Sequence, residues 1–186
     1  HVALPVVDKS LGELWQSELV PFNMALNQED YFGAQAGPSA PAVMVSHILL
    51  SQVDPDYPSS LSPKVVTGLL REEMGFDGVV CTDDLTMGAV SNTYGMGEAA
   101  VLAVEAGCDL LLVCHGADNL TAARDALLEA VDSGRISPER LDESVKRILS
   151  LKAEYGLTND PVDTPDVDAL NARIGALTEQ ITEASS

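Results

Sequence analysis

Met74 to Val90 reads MGFDGVVCTDDLTMGAV, and the fold follows from how this stretch divides. Gly75 stops a preceding helix, because glycine accepts the left-handed backbone that ends one. Val79, Val80 and Cys81 form a short apolar strand that runs directly into Thr82, Asp83 and Asp84. Adjacent carboxylates at the end of a buried strand lose hydration unless partners or a ligand compensate. Parallel α/β folds build their sites at such strand ends. Side chains alternate along a strand, so Asp83 and Asp84 are expected to face opposite ways. One can then face a site while the other caps the following turn. Spacing alone leaves open the reading in which both are capping acids.

Working back along the chain, Ser62 can cap a helix, Pro63 suits its first position, and Val65, Val66, Leu69, Leu70 and Met74 line one face. Before it, Ala42 to Leu50 (AVMVSHILL) reads as one strand with His47 toward its far end. Leu11, Leu14, Trp15, Leu19 and Phe22 recur at helical spacing, with Pro21 interrupting, and Trp15 is read as core. Asn27 to Pro41 is a polar, glycine- and proline-containing loop, and HVALP at 1–5 is extended.

Working forward, Gly88 to Gly97 is a connection, Glu98 to Ala106 a helix ended by Gly107, and Asp109 to Cys114 (DLLLVC) a strand covered on both faces. Helices follow at 119–131 and from Ser137–Pro138 to Gly156. A Pro/Asp linker from Thr158 to Pro165 leads to a last helix bearing Leu170, Ile174, Leu177 and Ile181. Strand–helix alternation, three times over, gives a parallel α/β sheet with right-handed crossovers. An open three-stranded sheet would leave long bare edges. A (β/α)8 TIM-type barrel takes about 250 residues, so the expectation is its second half plus C-terminal helices, with the N-terminal half missing upstream of His1. Residues 1–157 form that part, and 158–186 a linker and a helix packing on it.

The 186 residues allow one sizeable core, and 46% hydrophobic with only 4% aromatic content suits an aliphatic α/β interior. A formal charge of −19, from 10 basic and 29 acidic residues, argues against nucleic acid or an anionic membrane as partner. No apolar run is long enough to span a bilayer. Cys81 and Cys108 adjoin or sit in apolar strands and read as buried free thiols, which favours a reducing compartment such as the cytoplasm and leaves an exported or lipid-anchored protein open. The three His and three Cys show no metal-ligand spacing.

GFDGVVCTDDLTMGAV closely resembles the nucleophile segment of glycoside hydrolase family 3, in its β-N-acetylglucosaminidase branch. VMVSHI (43–48), PSSLSPKVVTGLLREEMGF (58–76), GEAAVLAVEAGCDLLLV (97–113) and SPERLDESVKRILSLKAEYGL (137–157) support it in the matching order. The resemblance implies a (β/α)8 barrel and a retaining hydrolase, without cofactor, that removes terminal β-linked N-acetylglucosamine from cell-wall fragments. It implies Asp83 as the nucleophile that forms a glycosyl-enzyme intermediate. In this branch the general acid/base is a His in an Asp-Ser-His tripeptide followed shortly by Leu-Pro. His1, followed by Val2, Ala3, Leu4 and Pro5, fits the end of that pattern. A His suits the task because its ordinary pKa, about 6.5, lies near working pH. The resemblance also implies that His47 faces the sugar pocket and that Met87 packs its wall. The orienting Asp, the KHFPGHG-type motif and the sugar-gripping residues of the first barrel half are absent, so this chain alone is expected to be inactive.

Within the family, a β-glucosidase or xylosidase is the rival, and it usually draws its acid/base from a second domain. A non-catalytic sugar-binding relative would have lost the nucleophile. A receiver-like signalling domain spreads its acids over two strands and needs a Lys at a third, whereas Lys64 and Lys146 lie on helices. His115 ends the last strand without a motif.

Overall fold

The computed structural model describes residues 4–27 and 39–184. In chain order its elements are β1 (Val6–Val7), α1 (Leu11–Trp15), α2 (Val20–Asn27), β2 (Ala42–Val45), β3 (Leu49–Leu50), a 3-10 turn (Ser59–Leu61) and a π-helix (Lys64–Glu73). There follow β4 (Val79–Asp84), α3 (Gly88–Ser91), α4 (Met96–Ala106), β5 (Leu110–Leu112), α5 (Ala117–Asp132), α6 (Pro138–Glu154) and α7 (Val167–Ala184).

β4 is the middle strand of a parallel sheet ordered β2–β4–β5, as expected from the alternation. The stretch from Ala42 to Leu50 is not one strand. β2 pairs with β4, whereas β3 pairs in parallel with β1 in a separate two-stranded sheet. The break has a local cause. The Ile48 carbonyl accepts from both the amide and the hydroxyl of Ser59, at 2.8 and 2.7 Å, and His47 turns inward. The expected opening helix is likewise two. Ser10 and Glu13 form a reciprocal capping box that starts α1, and Pro21 falls in the first turn of α2, where its missing N–H is harmless. Trp15 is only partly buried at the edge of the core, with Nε1 donating to Glu73 at 2.9 Å.

The helix after Pro63 is capped by Ser62, whose hydroxyl accepts from the Val65 amide at 3.2 Å. It winds with i→i+5 bonds, ending with Met74 N–H to the Leu69 carbonyl at 2.9 Å. Its apolar positions 65, 66, 69, 70 and 74 repeat about every 4.5 residues, which the wider helix keeps facing the sheet. Gly75, at φ 72°, ends it. Gly107, at φ 116°, ends α4, and a Cβ there would meet Thr67 Oγ1 at 2.7 Å.

Helices cover one face of the sheet, with Val66, Val80, Leu85, Val90 and the small residues Ala99, Ala100, Ala103 and Ala106 at 0% exposure. On the other face Met44, Cys81 and Leu110 stand in register across the three strands. Met44 is 55% and Leu110 38% exposed. DLLLVC is therefore a short strand covered on one side, not on both.

At the strand-entry end the carboxylate of Asp109, fully buried, gathers charge from two layers. Its Oδ2 accepts from Arg71 at 2.6 Å and from the Val80 amide at 3.0 Å, and its Oδ1 accepts from Ser144 at 2.7 Å. Arg140 and Arg147 stand 3.6 and 3.5 Å from Oδ1. Arg71 also donates to the carbonyls of Phe76, Gly78 and Gly107. This network ties the π-helix, β4, β5 and α6 together.

The described chain forms two compact units, 1–156 and 157–186. The second holds α7, whose start is capped by Asp166 accepting from the Ala169 amide at 3.0 Å. Among the described residues, no helix is long and apolar enough to cross a membrane.

Candidate active site

The exit of β4 is irregular before it ends. Cys81 pairs with Leu110 and Asp84 with Leu112, so three steps of β4 oppose two of β5. Thr82, wholly buried, fills the gap by accepting the Leu112 amide on its hydroxyl at 3.1 Å. A bulge of this kind re-aims the side chains that follow it. The adjacent acids then separate. Asp84 is consumed by the fold: Oδ1 accepts the amides of Thr86 and Cys114, both at 3.0 Å, and Oδ2 accepts the Thr86 hydroxyl at 2.5 Å. Burial alone would raise its pKa. The Cys114 and Thr86 donors and the charge of His115 outweigh that and hold it below the ordinary carboxylate value. Asp84 is thus the turn cap that alternation called for.

Asp83 is different. Its Oδ1 accepts the Asp84 amide at 2.7 Å, and among the described residues Oδ2 has no hydrogen-bond partner. The side chain is half-buried, two positions on from Cys81. Burial, and after it the charge of Asp83, pushes the Cys81 thiol up. A carboxylate held by one oxygen with the other open can attack or accept, which a capping acid cannot.

His47 turns into the fold. It is 2% exposed, and both ring nitrogens are engaged. Nδ1 lies 2.6 Å from the Ser60 hydroxyl and Nε2 3.0 Å from the Asp84 carbonyl. Both nitrogens are spent on the chain itself, so His47 holds the backbone beside Asp83. Met87 is partly exposed as the N-cap of α3, its amide donating to the Asp84 carbonyl at 3.0 Å. His1 lies outside the described residues. His115 is largely exposed, its Nε2 3.8 Å from Asp84 Oδ2. Neither His115 nor Ser60 falls in a motif; only their places, one after a strand end and one in a buried turn, signal that they meet these acids.

A cavity of about 610 Å³ lies at the opposite, strand-entry end, lined in part by Phe76, Asp77, Gly78, Glu143 and Lys146. It touches none of these acids. Asp83 stands on the face of the sheet that the described helices leave open. Cys81, Cys108 and Cys114 are all free thiols: Cys108 is fully buried, which pushes it up to about 12, Cys81 is partly covered and Cys114 is exposed. Among the described residues no group of three or more His, Cys, Asp or Glu could hold a metal ion.

Residues 1–151 match the family model described as glycosyl hydrolase family 3 N terminal domain. A protein of Methylococcus capsulatus named beta-hexosaminidase is 36% identical over 138 residues, covering 74% of this chain and 37% of that protein. The structure of a family 3 beta-N-acetylglucosaminidase from Paenibacillus sp. superposes with a TM-score of 0.80 at 46% identity, covering 89% of this chain and 30% of that one. The beta-N-acetylglucosaminidase of Thermotoga maritima superposes at 0.70 with 31% identity, over 81% of this chain and 31% of that one. The chain thus spans about a third of the length of these relatives.

Proposed function

Because the chain belongs to glycosyl hydrolase family 3, we propose that it supplies one wall of the catalytic centre of a retaining exo-β-N-acetylglucosaminidase, with Asp83 as nucleophile. The observation that carries this reading is the division of labour at the exit of β4. Asp84 is locked by three donors, while Asp83 keeps Oδ2 open on the uncovered face. In the proposed reaction Oδ2 attacks the anomeric carbon as the leaving-group oxygen takes a proton, and a glycosyl ester forms on Asp83. Water then attacks the anomeric carbon as it gives a proton to the same acid/base, the bond from that carbon to Asp83 Oδ2 breaks, and the sugar leaves with its β configuration retained. His1 is proposed as that acid/base, donating in the first step and accepting in the second. Met87, at the start of α3, is proposed to pack the wall of the sugar site. The substrates proposed are cell-wall fragments ending in β-linked N-acetylglucosamine.

The chain is proposed to act only when joined to a front barrel half. The row Met44, Cys81 and Leu110 supports this, because parallel sheets are normally covered on both faces, and β2 and β5 are the edges of the described sheet. A (β/α)8 closure would cover that row and both edges at once. The proposed compartment is the reducing cytoplasm, in keeping with three free thiols.

The test uses the chain joined to that front half. The joined protein should release p-nitrophenol from the N-acetylglucosaminide faster than from the glucoside. A fluorinated N-acetylglucosaminide that traps the ester should add its sugar mass to the peptide carrying Asp83. Preference for the glucoside, or a label on another peptide, overturns the assignment.

A further inference from the structure

We propose that His47 is a positioning residue for Asp83, acting through the Asp84 peptide as a neutral imidazole with its proton on Nε2. The inference rests on the reading of Asp83 as nucleophile. The tautomer follows from the partners. The Asp84 carbonyl can only accept, so Nε2, 3.0 Å away, must carry the proton. In a neutral ring, the form that burial at 2% exposure favours, Nδ1, 2.6 Å from the Ser60 hydroxyl, is the acceptor and Ser60 the donor. Ser60 is itself 0% exposed in the turn before the π-helix, and its carbonyl faces the Cys108 thiol at 3.6 Å. The ring is thus pinned from the scaffold side.

The path to the nucleophile is short. The Asp84 carbonyl takes two donors, His47 Nε2 and the Met87 amide, both at 3.0 Å. The Asp84 carboxylate is fixed by Thr86 and Cys114. With carbonyl and side chain held, the direction of the Asp84 N–H is set, and that N–H is what Asp83 Oδ1 accepts at 2.7 Å. Without His47 the peptide after Asp84 keeps only the Met87 amide on its carbonyl and the Leu112 carbonyl on its Leu85 N–H, 2.9 Å away, so the Asp84 backbone shifts at its Cα and turns the preceding N–H that Asp83 accepts. A displacement near 1 Å at a reacting atom costs about a hundredfold in rate.

Two measurements on the joined protein test this, with Asp83→Asn as control. The side-chain amide nitrogen of Gln reaches where Nε2 stands, and that of Asn does not. His47→Asn should lower kcat about a hundredfold with KM within about threefold, while His47→Gln recovers at least a tenth of wild-type kcat. Nitrogen-15 shifts of the His47 ring should show the Nε2–H tautomer, and Ser60→Ala should blur it toward a mixture. A protonated ring, an Nδ1–H tautomer, or His47→Asn turning over like wild type at equal melting temperature overturns the inference. So does a loss of kcat that Gln fails to rescue in a folded protein. If Asp83→Asn still hydrolyses substrate, the nucleophile assignment itself has failed, whatever His47 does.

Discussion

Asp109, at the entry end of the central sheet, is fully buried, bonded on both oxygens and surrounded by Arg71, Arg140 and Arg147. Asp83, at the exit end, is half-buried, bonded on one oxygen, and pairs with no cation among the described residues. Both are carboxylates at the ends of neighbouring parallel strands, Asp83 among the last residues of β4 and Asp109 just before β5. They differ in how fully the fold satisfies them. A carboxylate saturated by donors can only hold structure together, because any reaction at it would break bonds the fold depends on. One left half-satisfied carries a cost that a substrate can offset. The contrast matches the general division in parallel barrels, where the entry face carries stability and the exit face chemistry.

The sharpest way to break this contrast is to exchange the expected losses. In the joined protein, Asp83→Asn should reduce hydrolysis by about ten-thousandfold or more, as loss of a nucleophile does elsewhere, with melting temperature nearly unchanged. A steady-state assay beside a thermal melt checks both halves. Asp109→Ala should do the reverse. It leaves Arg71, 12% exposed, without its carboxylate inside the fold and costs about 3–5 kcal/mol, or roughly 10 °C in melting temperature. Turnover per folded molecule should survive. If Asp83→Asn melted the protein, or Asp109→Ala abolished turnover in the folded fraction, the two ends would not be specialised as argued.

A narrower cut is Ser144→Ala. Ser144 donates to Asp109 Oδ1 at 2.7 Å and receives Arg140 at 2.6 Å. Removing it deletes one donor to the buried charge and leaves the guanidinium groups in place. The expected loss is about 1.5 kcal/mol by urea titration, well short of the loss at Asp109. Equal losses at the two positions would mean that the serine, and not the arginines, anchors the carboxylate.

The two ends were unequally legible in the sequence. The strand at Val79 to Cys81 announced itself by an apolar run, and the acids by following it directly, so the place of the exit acids was readable without coordinates. Alternation implied that the two acids part ways and not which of them caps; the structure makes Asp84 the cap. The entry end was silent, because Arg71, Arg140 and Arg147 lie 31 to 38 positions from Asp109 along the chain and no local pattern links them. The partners of His47 were hidden for a related reason. A His near a strand end looks the same in sequence whether its nitrogens meet Ser60 and Asp84 or open water. The split of AVMVSHILL was hidden too, since the bonds that end β2 come from Ser59 in a later turn.

The smallest effect concerns Asp84 and tests how much of the exit end is scaffold. Its folded pKa lies below the ordinary 3.8, so its contribution is fully present above that value and is lost as pH falls through the folded value. Among the causes, the charge of His115 comes last, after burial and after the donors from Cys114 and Thr86. His115 is 82% exposed and 3.8 Å away, so solvent screens it. His115→Gln should therefore raise the folded pKa of Asp84 only slightly, starting the acid loss at a marginally higher pH. Thr86→Val removes a buried-side donor at 2.5 Å and should move the same acid limb further in the same direction. Acid melts of the two variants, each compared with Asp84→Asn, measure the order. If His115→Gln moved the limb more than Thr86→Val, the exit end would be held by an exposed ion pair, and Asp83 would stand on a less rigid support than the entry end gives Asp109.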